Sequence, residues 1–210
     1  MEIDLPTVPK ELFEIFEDDE LVRIFASPMI SGDTEYAIRN RALIAILLDT
    51  GIRLAEAAAL TPASIKGKRF LEVFGKGSKE RLVPFHSTTL RYLEAWLDVR
   101  GALDQRPDDE LFLLSYHGIK NLMRRLSVSV GLKVHCHKFR HQAATMFLRS
   151  SSDIYALKDL LGHSSVLTTS IYLSITKDDL AAKHDMASPM ATIEALLPVA
   201  AERKPRRVRR

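Results

Sequence analysis

The stretch KRFLEVFGKGSKERLVPF, residues 68–85, decides the fold class because its pattern differs from that of its surroundings. Apolar and polar residues alternate on both sides of the centre GKGSK, which is typical of two β-strands joined by a turn. Together with residues 63–66 just before it, the stretch predicts a small three-stranded sheet. The predicted hairpin tip carries two lysines, Lys76 and Lys79.

On both sides of this sheet, apolar residues recur at the spacing of α-helices. We predict helices over residues 9–16, 18–27, 35–50, 54–60, 87–99, 119–130, 137–149, 154–161, 166–175 and 178–186. Gly51 and Gly162 are suited to end helices, and Ser87 and Asp153 to begin them. The sequence therefore predicts a mainly α fold with a small antiparallel β-sheet, in the α+β class.

Composition narrows the protein class. The chain has 210 residues, of which 46% are apolar, enough for one substantial globular domain. The single cysteine, Cys136, excludes an intramolecular disulfide framework. No apolar run is long enough to span a bilayer, and the acidic start is unlike a signal peptide. We therefore expect a cytoplasmic protein that does not bind membranes.

Charge is unevenly distributed along the chain. Residues 1–30 carry eight acidic and two basic side chains, so their net charge is −6. Because the net charge of the whole chain is +3, residues 31–210 have a net charge of +9. The last nine residues, ERKPRRVRR, carry six basic side chains. This asymmetry indicates a polyanionic partner, although a solvated, disordered tail explains the terminus equally well.

Two clusters of candidate functional side chains lie near the sheet. In TGIRLAE, Arg53 follows a helix-ending glycine, and Glu56 lies one turn further on, where it can orient the guanidinium. The second cluster is the hairpin tip GKGSKER, with Lys76 and Lys79. Taken singly, Arg53 and Glu56 are consistent with an exposed ion pair that adds little stability, and the two lysines are consistent with solvated side chains.

Two more clusters lie in the C-terminal part. In HCHKFRH, His137 and Arg140 are three residues apart and so share a helix face. In LGHSSVLTTSIY, Tyr172 follows His163 by nine residues. Alternatively, the first cluster is a metal site, although no carboxylate or second cysteine accompanies it. Tyr172 alone fits a half-buried core residue.

In this order and spacing, the four clusters resemble the signature of the tyrosine recombinase (phage integrase) family. The resemblance runs over residues 9–188. It implies the fold of the family's catalytic domain and a site-specific DNA recombinase or integrase. Such an enzyme cuts and rejoins DNA through a 3′-phosphotyrosyl intermediate, without metal, cofactor or ATP.

The resemblance also implies a role for each matched residue. Tyr172 is the expected nucleophile, and Lys76 the general acid that protonates the departing 5′-oxygen. Arg53 and Arg140 are expected to bind the non-bridging phosphate oxygens, because a planar guanidinium suits a phosphoryl group.

The remaining assignments concern histidines and neighbouring cations. His137 is expected to contact the phosphate and to help accept the tyrosine proton, and His163 to donate a further hydrogen bond. Glu56 is expected to orient Arg53 or His137 from behind the site. Further candidates for DNA contacts are Lys79, Arg81, Lys138 and His141.

For domain organisation, we expect a leader over residues 1–8, the catalytic domain over 9–188, and a C-terminal helix with a basic tail over 189–210. The core-binding domain that precedes the catalytic domain in most relatives is expected to be absent. Relatives form cyclic tetramers on DNA by exchanging a C-terminal helix. The resemblance therefore implies double-stranded DNA as partner, a homotetramer on DNA through that helix, and a monomer without DNA.

Three other interpretations remain open at this point. A type IB topoisomerase-like enzyme that nicks and closes DNA would have a nearly identical site. A non-catalytic DNA-binding module is conceivable, because LKDLLGHSSVLTTSIYL resembles a helix-turn-helix. A metal hydrolase at HCHKFRH would be sensitive to chelators.

Overall fold

The computed structural model describes residues 14–75, 80–103, 106 and 108–173. The α-helices in these ranges are α1 (Asp18–Ala26), α2 (Pro28–Ser31), α3 (Glu35–Thr50), α4 (Leu54–Ala58), α5 (Ser87–Gly101), α6 (Tyr116–Val130), α7 (Cys136–Ser151), α8 (Ile154–Leu161) and α9 (Val166–Thr169). The strands are β1 (Ile65–Lys66), β2 (Phe70–Phe74) and β3 (Glu80–Pro84), and 3-10 turns lie at Pro62–Ser64 and Ser170–Leu173. The predicted mainly helical fold with a small antiparallel sheet is confirmed.

The sheet has the strand order β1–β2–β3, with both pairs antiparallel. Leu71 faces Val83 in the register and both are fully buried, so this face of the sheet packs on the core. Because side chains alternate along a strand, Phe74 and Leu82 lie on the opposite face and are exposed. The predicted hairpin tip, with Lys76 and Lys79, lies outside the described residues.

Helix α3 runs through the centre of the domain. It is apolar on nearly all sides, and Leu43, Ile44, Ile46 and Leu47 are fully buried. A helix of this kind must be enclosed by other elements, and α3 packs against α2, α5 and α7. Its C-terminal end is therefore a fixed point, and it leads directly into the segment that contains Arg53.

Gly51 ends α3 in the left-handed conformation, with φ 61°, as the sequence predicts. The glycine also allows close packing, since an added Cβ would lie 3.2 Å from Cβ of Ala143 and 3.1 Å from Cδ2 of Leu161. Both the left-handed backbone conformation and the lack of room for a Cβ favour glycine at this position. The end of α3 thus meets α7 and α8 at one place.

A second apolar cluster joins α7 to α8. It contains Ala144, Leu148, Leu157 and Leu161, and the ring of Tyr172 packs against it. This packing brings the segment after α8 back onto α7. It therefore places the tyrosine beside the helix that carries HCHKFRH.

Some element boundaries differ from the prediction. Ser87 is the first helical residue of α5 rather than its cap; Nδ1 of His86 caps the helix by accepting from the Thr88 N–H at 3.2 Å. The predicted helix 166–175 ends early, because the chain tightens into the 3-10 turn Ser170–Leu173. The predicted helices 9–16 and 178–186 and the basic tail lie largely or wholly outside the described residues.

Candidate active site

Arg53 is held by the carboxylate predicted to orient it. It precedes the first residue of α4, and its backbone N–H donates to Oε2 of Glu56 at 2.8 Å while its Nη1 donates to Oε1 at 3.1 Å. Glu56 is buried, whereas the Arg53 side chain is 41% exposed. The carboxylate thus fixes the arginine from the protein interior and leaves part of the guanidinium facing solvent.

The same carboxylate holds a second arginine, from β3. Arg81 donates from Nη1 to Oε1 of Glu56 at 3.0 Å and from Nη2 to Oε2 at 2.9 Å, and its Nε donates to the Leu160 carbonyl at 3.2 Å. Burial raises the pKa of Glu56, but hydrogen bonds from Arg81 and Arg53 outweigh it, and the pKa lies below its usual value. Glu56 is therefore ionised at neutral pH.

Arg81 is predicted as a DNA contact, and in the structure its guanidinium is bound within the protein. Its side chain is only 14% exposed, and its guanidinium lies over Gly162, where an added Cβ would come within 2.9 Å. Sequence reasoning missed its structural role, since no local pattern links residue 81 to residues 56 and 160. We assign Arg81 to the support of the site.

Arg140 is buried between two helix ends. Its Nη1 donates to the Gly51 carbonyl at 2.6 Å, where α3 ends, and its Nη2 donates to the Leu161 carbonyl at 2.8 Å, where α8 ends. The C-terminal end of a helix carries partial negative charge, so both ends favour a cation here. Burial, with a smaller effect of Arg53, lowers the pKa of Arg140 to about 10, which still leaves it charged at neutral pH.

His163 contacts Arg140 on one side and α9 on the other. Its Nε2 lies 2.9 Å from Nη2 of Arg140, and its Nδ1 lies 2.9 Å from Oγ1 of the buried Thr169. Because a guanidinium can only donate, Nε2 accepts, and the ring proton lies on Nδ1 and is donated to Thr169. Burial, followed by the charges of the nearby arginines, lowers the pKa of His163 to about 4. No local sequence signal had pointed to Thr169.

Tyr172 lies in the same site as these side chains. Its hydroxyl is 2.9 Å from Nδ1 of His141, and the ring centroids are 5.7 Å apart. Burial raises the pKa of Tyr172, while the charges of Arg140 and Arg53 oppose that shift. The nucleophile candidate thus lies within electrostatic reach of both arginines of its own chain.

His137 is exposed on α7, one turn before His141, and the two ring centroids are 6.5 Å apart. Lys138, predicted as a DNA contact, is instead buried at 6% exposure. Its Nζ lies 3.6 Å from Oε2 of Glu20 and 4.3 Å from the ring centroid of Phe16. Its charge is therefore used to hold the N-terminal segment against α7, and we do not retain it among the DNA contacts.

A cavity of about 880 Å³ opens beside these residues. Arg53, Arg81 and His163 line it, together with Lys158 of α8 and Gly75 at the base of the hairpin. The lining also includes Glu80 and Asp159, so three cationic side chains, Arg53, Arg81 and Lys158, slightly outnumber the acidic ones. Lys158, which the sequence had not indicated, makes a 2.7 Å ion pair with the exposed Asp159 at this rim.

Two kinds of feature are absent from the described part of the chain. No group of three or more His, Cys, Asp or Glu side chains there is arranged to hold a metal ion. Among the same residues, no helix is long and apolar enough to cross a membrane.

Comparison with known proteins gives consistent matches. The sequence profile of the phage integrase family matches residues 14–178. A tyrosine recombinase XerC of Shewanella sp. (strain W3-18-1) is 35% identical over 198 residues, covering 90% of this chain and 64% of that protein. This chain therefore spans less than two thirds of the length of that relative.

Solved structures show the same similarity. The crystal structure of XerA recombinase matches with a TM-score of 0.69 and 26% identity, over 86% of this chain and 67% of that one. The structure of XerH recombinase bound to its difH substrate before cleavage matches with a TM-score of 0.66 and 26% identity, over 86% of this chain and 55% of that one. The family profile, the relative and the fold agree: the chain belongs to the phage integrase family of tyrosine recombinases.

Proposed function

We propose that this chain carries the catalytic site of a site-specific DNA recombinase, with Tyr172 as the nucleophile. The observation that carries the proposal is that Arg140 and His163 lie 2.9 Å apart, that Arg53 and His163 line one cavity, and that Tyr172 is near enough for the charges of both arginines to lower its pKa against the effect of burial. In the reaction, the tyrosine oxygen forms a bond to phosphorus and the bond from phosphorus to the 5′-oxygen breaks. The phosphotyrosyl ester retains the energy of the phosphodiester, so the strand is rejoined without ATP.

Both arginines are suited to bind the scissile phosphate. Arg53 is fixed by Glu56 yet partly exposed, so it can receive a phosphate oxygen without reorganisation. Arg140 uses its forked guanidinium for two carbonyls and His163, and a guanidinium has five N–H donors, more than these contacts use. The negative charge that develops in the transition state would thus meet two fixed cations.

Four further roles remain proposals. Lys76 would protonate the departing 5′-oxygen, and Lys79 would contact the DNA backbone nearby. His137 is exposed at the start of α7 and would contact the phosphate. His163 would donate to the phosphate, which requires its Nε2 to be protonated and to leave its present contact with Arg140.

Double-stranded DNA is the proposed partner. The XerH site-specific recombinase is bound to its difH substrate in its structure, and residues 31–210 of this chain carry the excess of positive charge that a polyanion would favour. Cleavage within one chain is supported by the position of Tyr172 beside arginines of its own chain.

We also propose that four copies assemble on DNA through residues 174–210, which carry apolar residues at helical spacing. A groove of about 740 Å³ in the described domain would receive such a helix. Apolar side chains of four helices line it, namely Leu21, Phe25, Leu48, Tyr92 and Phe147. Light scattering with and without DNA tests this: deletion of residues 174–210 should abolish assembly and leave monomers that still bind DNA.

Covalent trapping tests the proposed function. Wild type and Tyr172→Phe are incubated in EDTA with nicked duplexes that contain a randomised region, and protein–DNA adducts are isolated and sequenced. Wild type should form an adduct at a defined sequence, and Tyr172→Phe should form none. Adducts without sequence preference would identify a topoisomerase-like enzyme, and binding without adducts would identify a DNA-binding module.

A further inference from the structure

The side chain next to the Tyr172 hydroxyl is not the histidine that the sequence had suggested. His137 was expected to help accept the tyrosine proton, but Nδ1 of His141, one helical turn later, lies 2.9 Å from the tyrosine oxygen. His141 is half-buried, whereas His137 is exposed at the start of α7. The packing of the Tyr172 ring on the cluster between α7 and α8 holds the hydroxyl at this place.

The chemistry of the two groups sets the direction of this hydrogen bond. A phenol is a stronger acid than a neutral imidazole N–H, and an imidazole nitrogen is a stronger base than a phenol oxygen. The favoured arrangement is therefore donation from the Tyr172 hydroxyl to Nδ1, with the ring proton of His141 on Nε2.

The surroundings keep His141 neutral. Burial, followed by the nearby His137, His135 and Arg140, lowers the pKa of His141 to about 4. At neutral pH the ring therefore has a lone pair available to accept a proton, and the tyrosine keeps its own proton until an anion enters the site.

We propose that His141 is a catalytic residue that accepts the Tyr172 proton during DNA cleavage. The inference rests on the proposed function. As the bond from Oη to phosphorus forms, the hydroxyl proton moves to Nδ1 of His141, and the 5′-oxygen leaves with a proton from the general acid. In rejoining, the 5′-hydroxyl attacks phosphorus and returns its proton to that acid, while His141 gives its proton back to Oη.

Because of the positive charges around His141, proton transfer from Tyr172 depends on what occupies the site. An imidazolium beside Arg140 is disfavoured in the empty site, and the negative phosphoryl group offsets that repulsion when DNA is bound. Deprotonation of Tyr172 is thus coupled to occupancy of the site. His163 is unsuited to the role in this state, because its Nε2 accepts from Arg140 and its Nδ1 contacts Thr169.

The first test separates the tyrosine proton from the leaving-group proton. Cleavage is measured on the site that the trapping assay selects, with either oxygen or sulfur at the 5′ bridging position. A thiolate leaves without protonation, because thiols are far more acidic than alcohols. His141→Gln should slow cleavage by about 10²-fold or more with both substrates, in line with the usual effect of general acid–base groups.

Two variants serve as comparisons in this assay. His117→Gln changes an exposed histidine on α6 and should leave the rate unchanged. Lys76→Ala should be slow on the oxygen substrate and recover on the sulfur substrate. Sulfur rescue of His141→Gln, an unchanged rate, or faster cleavage would each overturn the assignment; faster cleavage would mean that His141 restrains the tyrosine instead.

A second test needs no DNA and no activity. In protein labelled with ¹⁵N-histidine, NMR should show His141 with its proton on Nε2, and Tyr172→Phe should shift the Nδ1 signal but not the signals of His117. A proton on Nδ1 would overturn the proposal, because that nitrogen would then be a donor. Failure of the proposed function is separately visible, as wild type would form no adduct on any DNA.

Discussion

Arg81 of β3 and Glu56 of α4 form a two-point ion pair, with Nη1 3.0 Å from Oε1 and Nη2 2.9 Å from Oε2. The same carboxylate holds Arg53, so a residue of the sheet and a residue of the active site share one anchor. The position of Arg53 therefore depends on β3, the strand that follows Lys76, the proposed general acid, in the sequence.

Replacing Arg81 by lysine should disrupt this anchor, because an ammonium group cannot make the paired contact or reach the Leu160 carbonyl at the same time. We expect the free energy of unfolding to fall by about 2–3 kcal/mol, as for partly broken buried ion pairs. Cleavage should fall about tenfold while DNA affinity changes little. Urea unfolding and adduct formation measure the two effects. Arg91→Lys, at an exposed arginine of α5, should show neither.

Gly162→Ala probes the contact between Arg81 and the end of α8. Gly162 has φ 65°, and an added Cβ would meet the Arg81 guanidinium at 2.9 Å. Gly131 has nearly the same φ, 66°, but open space around the added Cβ, so Gly131→Ala reports the cost of the backbone conformation alone. We expect about 1 kcal/mol of destabilisation at Gly131 and clearly more at Gly162, measured by denaturant unfolding. Equal losses at the two sites would contradict the packing argument.

Arg140→Lys should retain charge but lose the fork that spans the Gly51 and Leu161 carbonyls. We expect adduct formation to slow by about 10²–10³-fold, similar to the loss of a fixed donor to a developing oxyanion. DNA affinity should change far less, because most binding energy comes from other phosphates. Electrophoretic binding assays and single-turnover cleavage distinguish these effects, and parallel losses in both would contradict the prediction.

Acid should destabilise the domain through two histidines. The pKa of His141 and that of His163 are both lowered to about 4, while an unfolded histidine titrates near 6.5. The unfolded chain therefore takes up protons first, and the stability present above pH 6.5 is lost as the pH falls towards 4. Because both rings are half-exposed, we expect only about 1 kcal/mol from each. The free energy of unfolding, measured with denaturant at several pH values, should depend less on pH in His163→Gln than in His117→Gln.

Local patterns were sufficient to predict most of the fold. Alternation at residues 68–85 predicted the sheet, and helical periodicity with Gly51 and Gly162 predicted α3 and α8 with their ends. Such patterns depend on neighbours within a few residues, which is why they succeed for elements. The family signature brought Arg53, Arg140, His163 and Tyr172 together as candidates, and the structure places them in one site.

Local sequence patterns could not predict contacts between residues that are distant in the chain. Lys138 and Arg81 each lie in a basic segment of the sequence, and no sequence pattern indicates that either side chain is buried. Their acidic partners, Glu20 and Glu56, lie far away along the chain. The contact between His141 and Tyr172 likewise depends on the fold of α7 against α8. Sequence identifies which side chains can do the chemistry, and packing decides which of them meet.

Arg140 donates to the ends of both α3 and α8, so the proposed catalytic site depends on the packing of both helices. If α8 separates from the domain, Arg140 loses one carbonyl and His163 together, and Tyr172 loses the surface against which it packs. In the proposed function, a partly folded or proteolysed copy would keep its positive charge but would have no assembled means of breaking a strand. Intact packing of one short helix would thus be an integrity check on the proposed cleavage of a phosphodiester.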